Sequence, residues 1–264
     1  MLKEHPSNQI KRFSFARQLK LKYLGYAYEQ WNNLQAKKVK AVVDQKKFLI
    51  YTSDKNASSS LVTLLEANPF IYVDGAVLKW PVSSPVKLIK NRCKRINQKV
   101  YGFKMLSEHC QLIQPSITCT NQFFRQMSAN GFQVIYVENE NPLKAILAKI
   151  LDHENPSWRK NKNKRMVIDF DLLMDQLTLR EQQTAYEKAA LNGISHLILN
   201  DEKDFESLEK VERTVTKIAS FLDTVPIRSP LKITTEKIQD GIANIEDLFS
   251  QLSNTRYRSF IKKM

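Results

Sequence analysis

The residues best suited to chemistry lie in residues 47–69, where an apolar run, a polar turn and a helical pattern follow one another. Residues 48–51 are apolar and too few for a helix, so they predict a buried parallel strand. Residues 52–56 have a turn composition, and an amphipathic helix is expected to begin at Ser58. Strand, polar loop and helix N-terminus together bind phosphate, because the free N–H groups and the helix dipole both point at the anion.

This predicted phosphate loop contains a cation and hydroxyls in reach of an anion. Lys55 can contact a bridging oxygen, and Ser58 and Ser59 can donate hydroxyls. The nucleotide-hydrolase motif G-x-x-x-x-G-K-[ST] is absent. The alternative is a plain strand–turn–helix unit with solvated serines. The loop residues that we assign to cofactor binding are Thr52, Lys55, Asn56, Ala57, Ser58 and Ser59.

The composition favours a globular protein with anionic partners. The chain has 264 residues, of which 42% are hydrophobic, and it carries a formal net charge of +14. Such a surplus attracts nucleotide cofactors, nucleic acid, acidic glycans or lipid head groups. No nucleic-acid-binding motif is present, so nucleic acid is the least favoured of these partners.

The cysteines, apolar stretches and histidines indicate the cellular compartment and whether a metal site is expected. Cys93, Cys110 and Cys119 have neither metal-ligand spacing nor a disulfide pattern, which predicts a reducing compartment, namely the cytoplasm. No apolar stretch predicts a membrane span or a signal peptide. The histidines outside the site, among them His153 and His196, show no metal spacing, and no metal site is expected.

Short apolar runs alternate with helical patterns along residues 46–264. Strands are predicted at 47–52, 70–73, 100–105, 133–138 and 196–199. Helices are predicted near 119–128, 142–152, 169–190, 205–222 and 244–253. This order predicts an α/β domain with a P-loop-like, three-layer fold, in which helices flank a central parallel sheet.

Residues 1–45 alternate aromatic and basic side chains and predict a helical extension of one or two helices. One interpretation is a helix packed on the main domain with its charges in water. The other is a peripheral contact with a membrane surface or an anionic glycan.

Several segments resemble bacterial, cyanobacterial-type sulfotransferases, in the right order and over about residues 46–260. The loop is similar to the family's T-x-P-R-S-G-S-T-L-L, and Gly102-Phe103-Lys104-Met105 is similar to its G-F-K-L strand. Residues 134–147, V-I-Y-V-E-N-E-N-P-L-K-A-I-L, resemble V-I-H-L-R-R-E-N-L-L-R-Q-A-L. The resemblance implies a sulfotransferase-like fold and the donor PAPS (3′-phosphoadenosine-5′-phosphosulfate), with a hydroxyl of a sugar or glycan as acceptor.

The chain departs from this family at residues that matter. In relatives the 134–147 segment holds the 3′-phosphate of PAPS, but here Glu138 and Asn139 replace two arginines, and Ala148 replaces a serine. Asn141 matches the family's asparagine, and Asn139 occupies the position of one of the arginines. The resemblance therefore assigns both residues to cofactor binding. Ala57 replaces the glycine of the loop. Compensating cations are expected from Arg159, Lys160, Lys162, Arg165, Arg256 and Arg258.

Sulfuryl transfer needs a cation at the leaving oxygen and a base for the acceptor hydroxyl. Lys55 supplies the first. Candidates for the base are Glu66 on the helix that leaves the loop, His109 at the end of a strand, and Asp74 in a turn. The family's own glutamate in an Asp-Gly-Glu stretch reads Asp74-Gly75-Ala76 here.

Two functions of different class remain open. The first is a PAPS-dependent sulfotransferase, favoured by Lys55, Ser58, Ser59 and the basic composition. The second is a pseudoenzyme of the same fold that binds an anionic glycan or nucleotide, favoured by the missing arginines, serine, glutamate and glycine.

Overall fold

The computed structural model describes residues 15–40, 42–53, 55–75, 77–154, 165–224, 238–262 and 264. Within this part, the side chains of residues 15–19 and 55–57 are left out of the description. None of the described helices is long and apolar enough to cross a membrane.

A five-stranded parallel sheet forms the centre of the fold. Its strands are β1 (Lys46–Thr52), β2 (Ile71–Asp74), β3 (Val100–Leu106), β4 (Phe132–Glu138) and β5 (His196–Asn200). They lie in the order β2-β3-β1-β4-β5, and every pairing is parallel. The predicted α/β class with a central parallel sheet is therefore confirmed, and each predicted strand is present within two residues of its expected bounds.

Helices cover both faces of the sheet. The longer helices are α1 (Phe15–Ala36), α2 (Lys55–Glu66), α3 (Pro85–Lys94), α4 (Thr120–Ala129), α5 (Pro142–Glu154), α6 (Phe170–Ala190), α8 (Leu208–Leu222) and α9 (Ile245–Leu252). Two single-turn helices are α7 (Asp201–Asp204) and α10 (Arg258–Ile261). A π-helical turn, His109–Ile113, follows β3.

Strand β1 is buried on both sides, which explains why its sequence is apolar without alternation. Leu49 and Tyr51 pack with α3 and α4, whereas Phe48 and Ile50 pack with α2 and α8. The ring of Phe48 also fills the space above Gly102, where a Cβ would come within 2.1 Å of it.

A third apolar cluster lies beyond the carboxyl ends of the strands. It joins Leu143 and Leu147 of α5 to Leu173 and Leu177 of α6, and it includes Leu248 of α9. Helices α5 and α6 thus lie against the sheet edge that carries the candidate site.

Helix α1 docks closely on the domain. A Cβ at Gly25 would lie 1.7 Å from the carbonyl oxygen of Pro81, so only glycine permits this approach. The buried carboxylate of Glu29 accepts hydrogen bonds from the backbone N–H groups of Ser83 and Ser84, at 2.9 and 3.0 Å. Because these residues precede α3, Glu29 supplies the negative charge that stabilises the N-terminus of that helix.

Helix α2 begins at Lys55 and not at Ser58 as predicted. Residues 55–57 contain neither glycine nor proline, so nothing in their type prevents helix formation. The loop after β1 is therefore shorter than expected, and the first free helical amides belong to residues 55–57.

Candidate functional site

The carboxyl ends of the parallel strands meet at one edge of the sheet, where open α/β sheets place their ligand sites. β1 ends at Thr52, β3 at Leu106, β4 at Glu138 and β5 at Asn200. Two cavities lie at this edge. The first, which we call the β1 cavity, is about 380 Å³ and is lined by the ends of β1 and β3. The second, the β4 cavity, is about 680 Å³ and is lined by the ends of β4 and β5.

The turn from β1 into α2 lies beside the β1 cavity. Thr52 is fully buried at the end of the strand, opposite Leu106. Ser53 lines the cavity, and its buried Oγ atom has no hydrogen-bond partner among the described residues. In the first turns of α2, Ser58 is fully buried and Ser59 is exposed.

Lys104 of β3 places a positive charge at this turn. Its Nζ atom donates a hydrogen bond to the Oγ atom of Ser59 at 3.1 Å. Lys104 is the half-buried residue of an otherwise buried strand, so a lysine inside the predicted strand 100–105 was the available signal. Lys104 belongs to the segment Gly102–Met105 that carries the family resemblance, but it was not predicted as a site residue.

The other predicted loop residues, Lys55, Asn56 and Ala57, are the first three residues of α2. Their backbone N–H groups have no intrahelical acceptor, as in any first helical turn. Their side chains lie outside the described part, so the contacts predicted for Lys55 stay a prediction.

Two of the carboxylate candidates for the base lie away from the cavities. Glu66 is exposed at the last position of α2, about 16 Å along the helix axis from Lys55. Asp74 is buried, and its Oδ2 atom lies 2.6 Å from Nη2 and 2.7 Å from Nε of Arg92. The structure thus places Asp74 in an ion pair beneath α3.

His109 is buried at the start of the π-helical turn. Its Nδ1 atom accepts a hydrogen bond from the backbone N–H of Leu106 at 3.3 Å, so the ring proton lies on Nε2. Burial, and secondarily the charge of Lys104, lowers the pKa of His109 to about 4. His109 is consequently neutral at pH 7, and its basic nitrogen already accepts a hydrogen bond.

The acidic residues after β4 are neutralised by lysines. Glu138 lies 2.7 Å from Nζ of Lys188, and Glu140 lies 2.8 Å from Nζ of Lys203. These residues all line the β4 cavity. The repulsion that a bare Glu138 would exert on a phosphate is thereby reduced.

The two asparagines assigned to cofactor binding have different surroundings. Asn139 lines the β4 cavity. Asn141 is fully buried, and its Oδ1 accepts from the N–H of Lys144 at 3.2 Å, which caps α5. Its Nδ2 donates to the carbonyl oxygen of Phe260 at 3.2 Å. The amide of Asn141 therefore links α5 to α10.

Of the cations expected to compensate for the missing arginines, Arg159, Lys160 and Lys162 lie outside the described residues. Arg165 is exposed. Arg256 lines the β4 cavity, where it forms an ion pair of 2.7 Å with Glu181.

The β1 cavity is lined by charged residues that were not predicted as site residues, among them Glu108 and Arg180. Glu108, next to His109, is an exposed carboxylate that lines the same cavity as Ser53. Arg180 of α6 lines this cavity and the β4 cavity as well. A helical residue far along the chain gives no sequence signal of this kind, because its position at the sheet edge follows from the packing of α6.

Within the described ranges, no group of three or more His, Cys, Asp or Glu residues could hold a metal ion. Cys93 and Cys110 are buried free thiols, and burial raises their pKa values to about 11 and about 12. Neither thiol is therefore ionised at pH 7.

Two sulfotransferases of known structure resemble this chain at low sequence identity. One, from Alicyclobacillus acidocaldarius, has a TM-score of 0.46 and 12% identity, and the match covers 84% of this chain and 94% of that protein. The other, mouse SULT7A1 complexed with PAP, has a TM-score of 0.41 and 13% identity, with coverage of 88% and 94%. No family model and no curated protein sequence matches the chain.

Proposed function

We propose that the carboxyl edge of the sheet binds PAPS and that the protein transfers the sulfuryl group to a hydroxyl of a sugar or glycan. The observation that carries the proposal is the turn from the central strand β1 into α2. There, free helical amides and the charge of Lys104 lie together beside a cavity. Fixed N–H groups and a nearby cation stabilise the charge that develops on a leaving phosphate oxygen.

The reaction moves one group between two oxygen atoms. A bond forms from the acceptor oxygen to sulfur, and the bond from sulfur to the 5′-phosphate oxygen breaks. The leaving group is 3′-phosphoadenosine-5′-phosphate (PAP), which keeps the electron pair of the broken bond. Lys104, with Lys55, stabilises that oxygen, and the acceptor proton passes to a base.

We assign the base to Glu108. This carboxylate lines the same cavity as Ser53, whereas Glu66 lies at the opposite end of α2. His109, the other predicted base, has its acceptor nitrogen engaged by Leu106. In this proposal His109 positions Glu108, its neighbour in the π-helical turn.

The decisive experiment combines calorimetry with a transfer assay. PAP should bind, and Lys104→Ala and Lys55→Ala should each weaken it roughly tenfold or more, since each removes a charged contact. Transfer from labelled PAPS to a panel of sugars should be lost in Glu108→Gln and retained in Glu66→Gln. Unchanged PAP affinity in both lysine variants would place the donor elsewhere.

A second function is favoured by the ion pairs after β4. Glu138 and Glu140, each held by a lysine, occupy the segment that the family resemblance assigns to the 3′-phosphate. A pseudoenzyme that binds a nucleotide or anionic glycan without transfer fits this arrangement. Adenosine 5′-monophosphate, which lacks the 3′-phosphate, separates the two: equal affinity for it and for PAP, with no transfer, would favour the pseudoenzyme.

We also propose that α1 and α3 make a peripheral contact with an anionic membrane. Tyr23, Tyr26 and Leu34 are exposed on α1, at 72%, 57% and 58%. Exposed lysines lie on the same two helices and directly after α1, and Leu34 lines one groove with three of them. We call the exposed aromatic, leucine and lysine residues of these segments the α1–α3 face. Its lysines are Lys20, Lys22, Lys37, Lys38, Lys40, Lys87, Lys90 and Lys94. Aromatic side chains among lysines are typical of helices that lie in the lipid head-group region.

A further inference from the structure

Arg180 occupies a position that no other charged residue of the site shares. It lies on α6 and lines both the β1 cavity and the β4 cavity. Its side chain is only 11% exposed. Burying the charge of a guanidinium costs free energy unless an anion or hydrogen-bond acceptors compensate for the lost water. A buried guanidinium that contacts two cavities is therefore expected to bind an anion.

Every other cation that lines the β4 cavity is matched by a carboxylate. Lys188 pairs with Glu138, Lys203 with Glu140 and Arg256 with Glu181, and all three N–O distances are 2.8 Å or less. The positive charge of these residues is therefore already compensated. Arg180 is the cation that remains.

The carboxylate nearest to Arg180 among the described residues is that of Glu187, about two helical turns further along α6. The closest approach, from Nη1 to Oε1, is 3.9 Å, which is too long for a hydrogen bond. Among the residues that the structure describes, none accepts a hydrogen bond from this guanidinium. Its N–H groups, five in any arginine, remain able to bind oxygen atoms of a ligand.

The carboxylate of Glu187 stabilises the positive charge of Arg180, but it accepts no hydrogen bond from the guanidinium N–H groups. The residue is fully buried, and its Oε2 atom accepts a hydrogen bond from Tyr136 at 2.9 Å. The Oε1 atom has no hydrogen-bond partner in the described part of the chain. Tyr136 thus holds one oxygen in place, and the carboxylate attracts Arg180 electrostatically.

We infer that Arg180 is the anion-binding residue of the carboxyl edge, and that it receives a phosphate or sulfate group of an organic ligand. A planar guanidinium binds such groups through two parallel N–H contacts. The apolar side chains of Leu177, Tyr257 and Phe260 in the β4 cavity can contact the ring of the same ligand. A volume of about 680 Å³ accommodates a molecule of nucleotide size.

This inference concerns the anion alone and does not require PAPS or transfer. The test compares the wild type with Arg180→Gln, Arg180→Lys and Glu187→Gln, using inorganic phosphate, inorganic sulfate and PAP as separate probes in calorimetry. Arg180→Gln should bind phosphate and PAP roughly ten- to a hundredfold more weakly, since it loses a charged hydrogen bond. Arg180→Lys, which keeps the charge but loses the planar fork, should give an intermediate loss.

Glu187→Gln distinguishes ligand binding from a structural role. Removing the carboxylate 3.9 Å from the guanidinium should tighten phosphate binding, because the anion no longer competes with Glu187. A purely structural ion pair would lower the unfolding temperature in both single variants and leave anion affinity unchanged. That outcome would overturn the inference.

If Arg180→Gln alone does not fold, the double variant Arg180→Gln/Glu187→Gln replaces it in the test. The double variant removes both charges and therefore leaves no unpaired buried charge. It should remain folded by circular dichroism and still bind phosphate weakly; wild-type affinity in it would also overturn the inference.

Arg213→Gln, at an exposed ion pair on α8, is the matched control and should change neither stability nor phosphate affinity. If phosphate binds through Arg180 but PAP does not bind at all, the inference stands and the proposed function fails. If PAP binds equally to the wild type and the double variant, the inference about Arg180 fails and the proposed function stands.

Discussion

The carboxyl edge and the α1–α3 face use positive charge in opposite ways. In the β4 cavity at the carboxyl edge, Lys188, Lys203 and Arg256 are each compensated by a carboxylate, and Arg180 is the described lining cation that lacks a hydrogen-bonded one. On the α1–α3 face, none of the exposed lysines forms an ion pair with a described carboxylate, and residues 77–107 contain no acid at all. Among the described residues, the α1–α3 face therefore carries uncompensated positive charge, whereas the charges that line the β4 cavity are nearly balanced.

This difference changes what the composition means. A basic chain suggested a basic cleft, and that suggestion favoured catalysis with an anionic donor. In the part of the chain that the structure describes, the β4 cavity is instead lined by nearly balanced charges, and the α1–α3 face carries charge of one sign. Balanced pairs give a site its geometry and specificity, whereas a surface of one sign attracts any polyanion over a longer range.

The contrast can be tested within α3, where Arg92 is paired and its neighbours are not. Arg92→Gln should lower the free energy of unfolding by about 3–5 kcal/mol, because it removes the cation that forms an ion pair with the buried carboxylate of Asp74. Urea unfolding measures the change. Lys90→Gln, on the same helix, should leave stability within about 0.5 kcal/mol of the wild type. A loss below about 1 kcal/mol for Arg92→Gln would mean that water reaches Asp74.

Membrane binding should depend on the lysines of the α1–α3 face. Each lysine near an anionic bilayer contributes about 1 kcal/mol, so the triple variant Lys87→Gln/Lys90→Gln/Lys94→Gln should bind phosphatidylserine vesicles more than a hundredfold more weakly. Vesicle sedimentation at fixed salt measures this. The variant Lys203→Gln/Lys210→Gln/Lys217→Gln makes the same change in charge elsewhere on the molecule and should retain binding. Equal losses would assign the attraction to net charge, and tighter binding to single-stranded RNA than to vesicles would favour a nucleic-acid partner.

The buried state of His109 predicts a pH dependence of stability. Its pKa is about 4 in the folded protein and ordinarily about 6.5, so the unfolded chain binds the proton more readily. Its contribution to stability is present above pH 6.5 and is lost as the pH falls towards 4. Between pH 7 and pH 5 the loss should be about 2 kcal/mol.

His109→Gln should remove that part of the pH dependence, as measured by urea unfolding at both pH values. An identical slope in the variant would show that His109 is accessible to water. The pH profile of the transfer assay bears on the base, because a catalytic His109 would give an acid limb of activity near pH 4 and not near 6.5.

Asn141→Ala should have the smallest effect. It removes the cap of α5 and the contact with Phe260, which costs about 1 kcal/mol of stability. Thermal unfolding checks this loss. Calorimetry with PAP then tests the predicted donor contact: a fall in affinity would support a role in binding, and unchanged affinity would restrict Asn141 to the cap.

The sequence by itself determined the sheet. Buried parallel strands have short apolar sequences, and residues 48–51 and 133–137 are mostly apolar, rich in β-branched and aromatic side chains and too short for a typical helix. The order of strands and helices then determined the α/β class, and it predicted a ligand site at the carboxyl edge of the sheet. A strand–turn–helix unit after β1 was predicted as well, although its helix begins three residues earlier than expected, since residues 55–57 have no helix-breaking side chain. Its role as a phosphate loop stays a prediction.

Only the tertiary structure decided how the charges are distributed. That Glu138 meets Lys188, that Asp74 meets Arg92, and that α6 brings Arg180 to both cavities all depend on contacts between segments distant along the chain. A sequence gives the sign of each side chain but not its partner. Because the energy of a charge depends on its distance from other charges and on its burial, the chemistry of this edge could not be predicted from residue types alone.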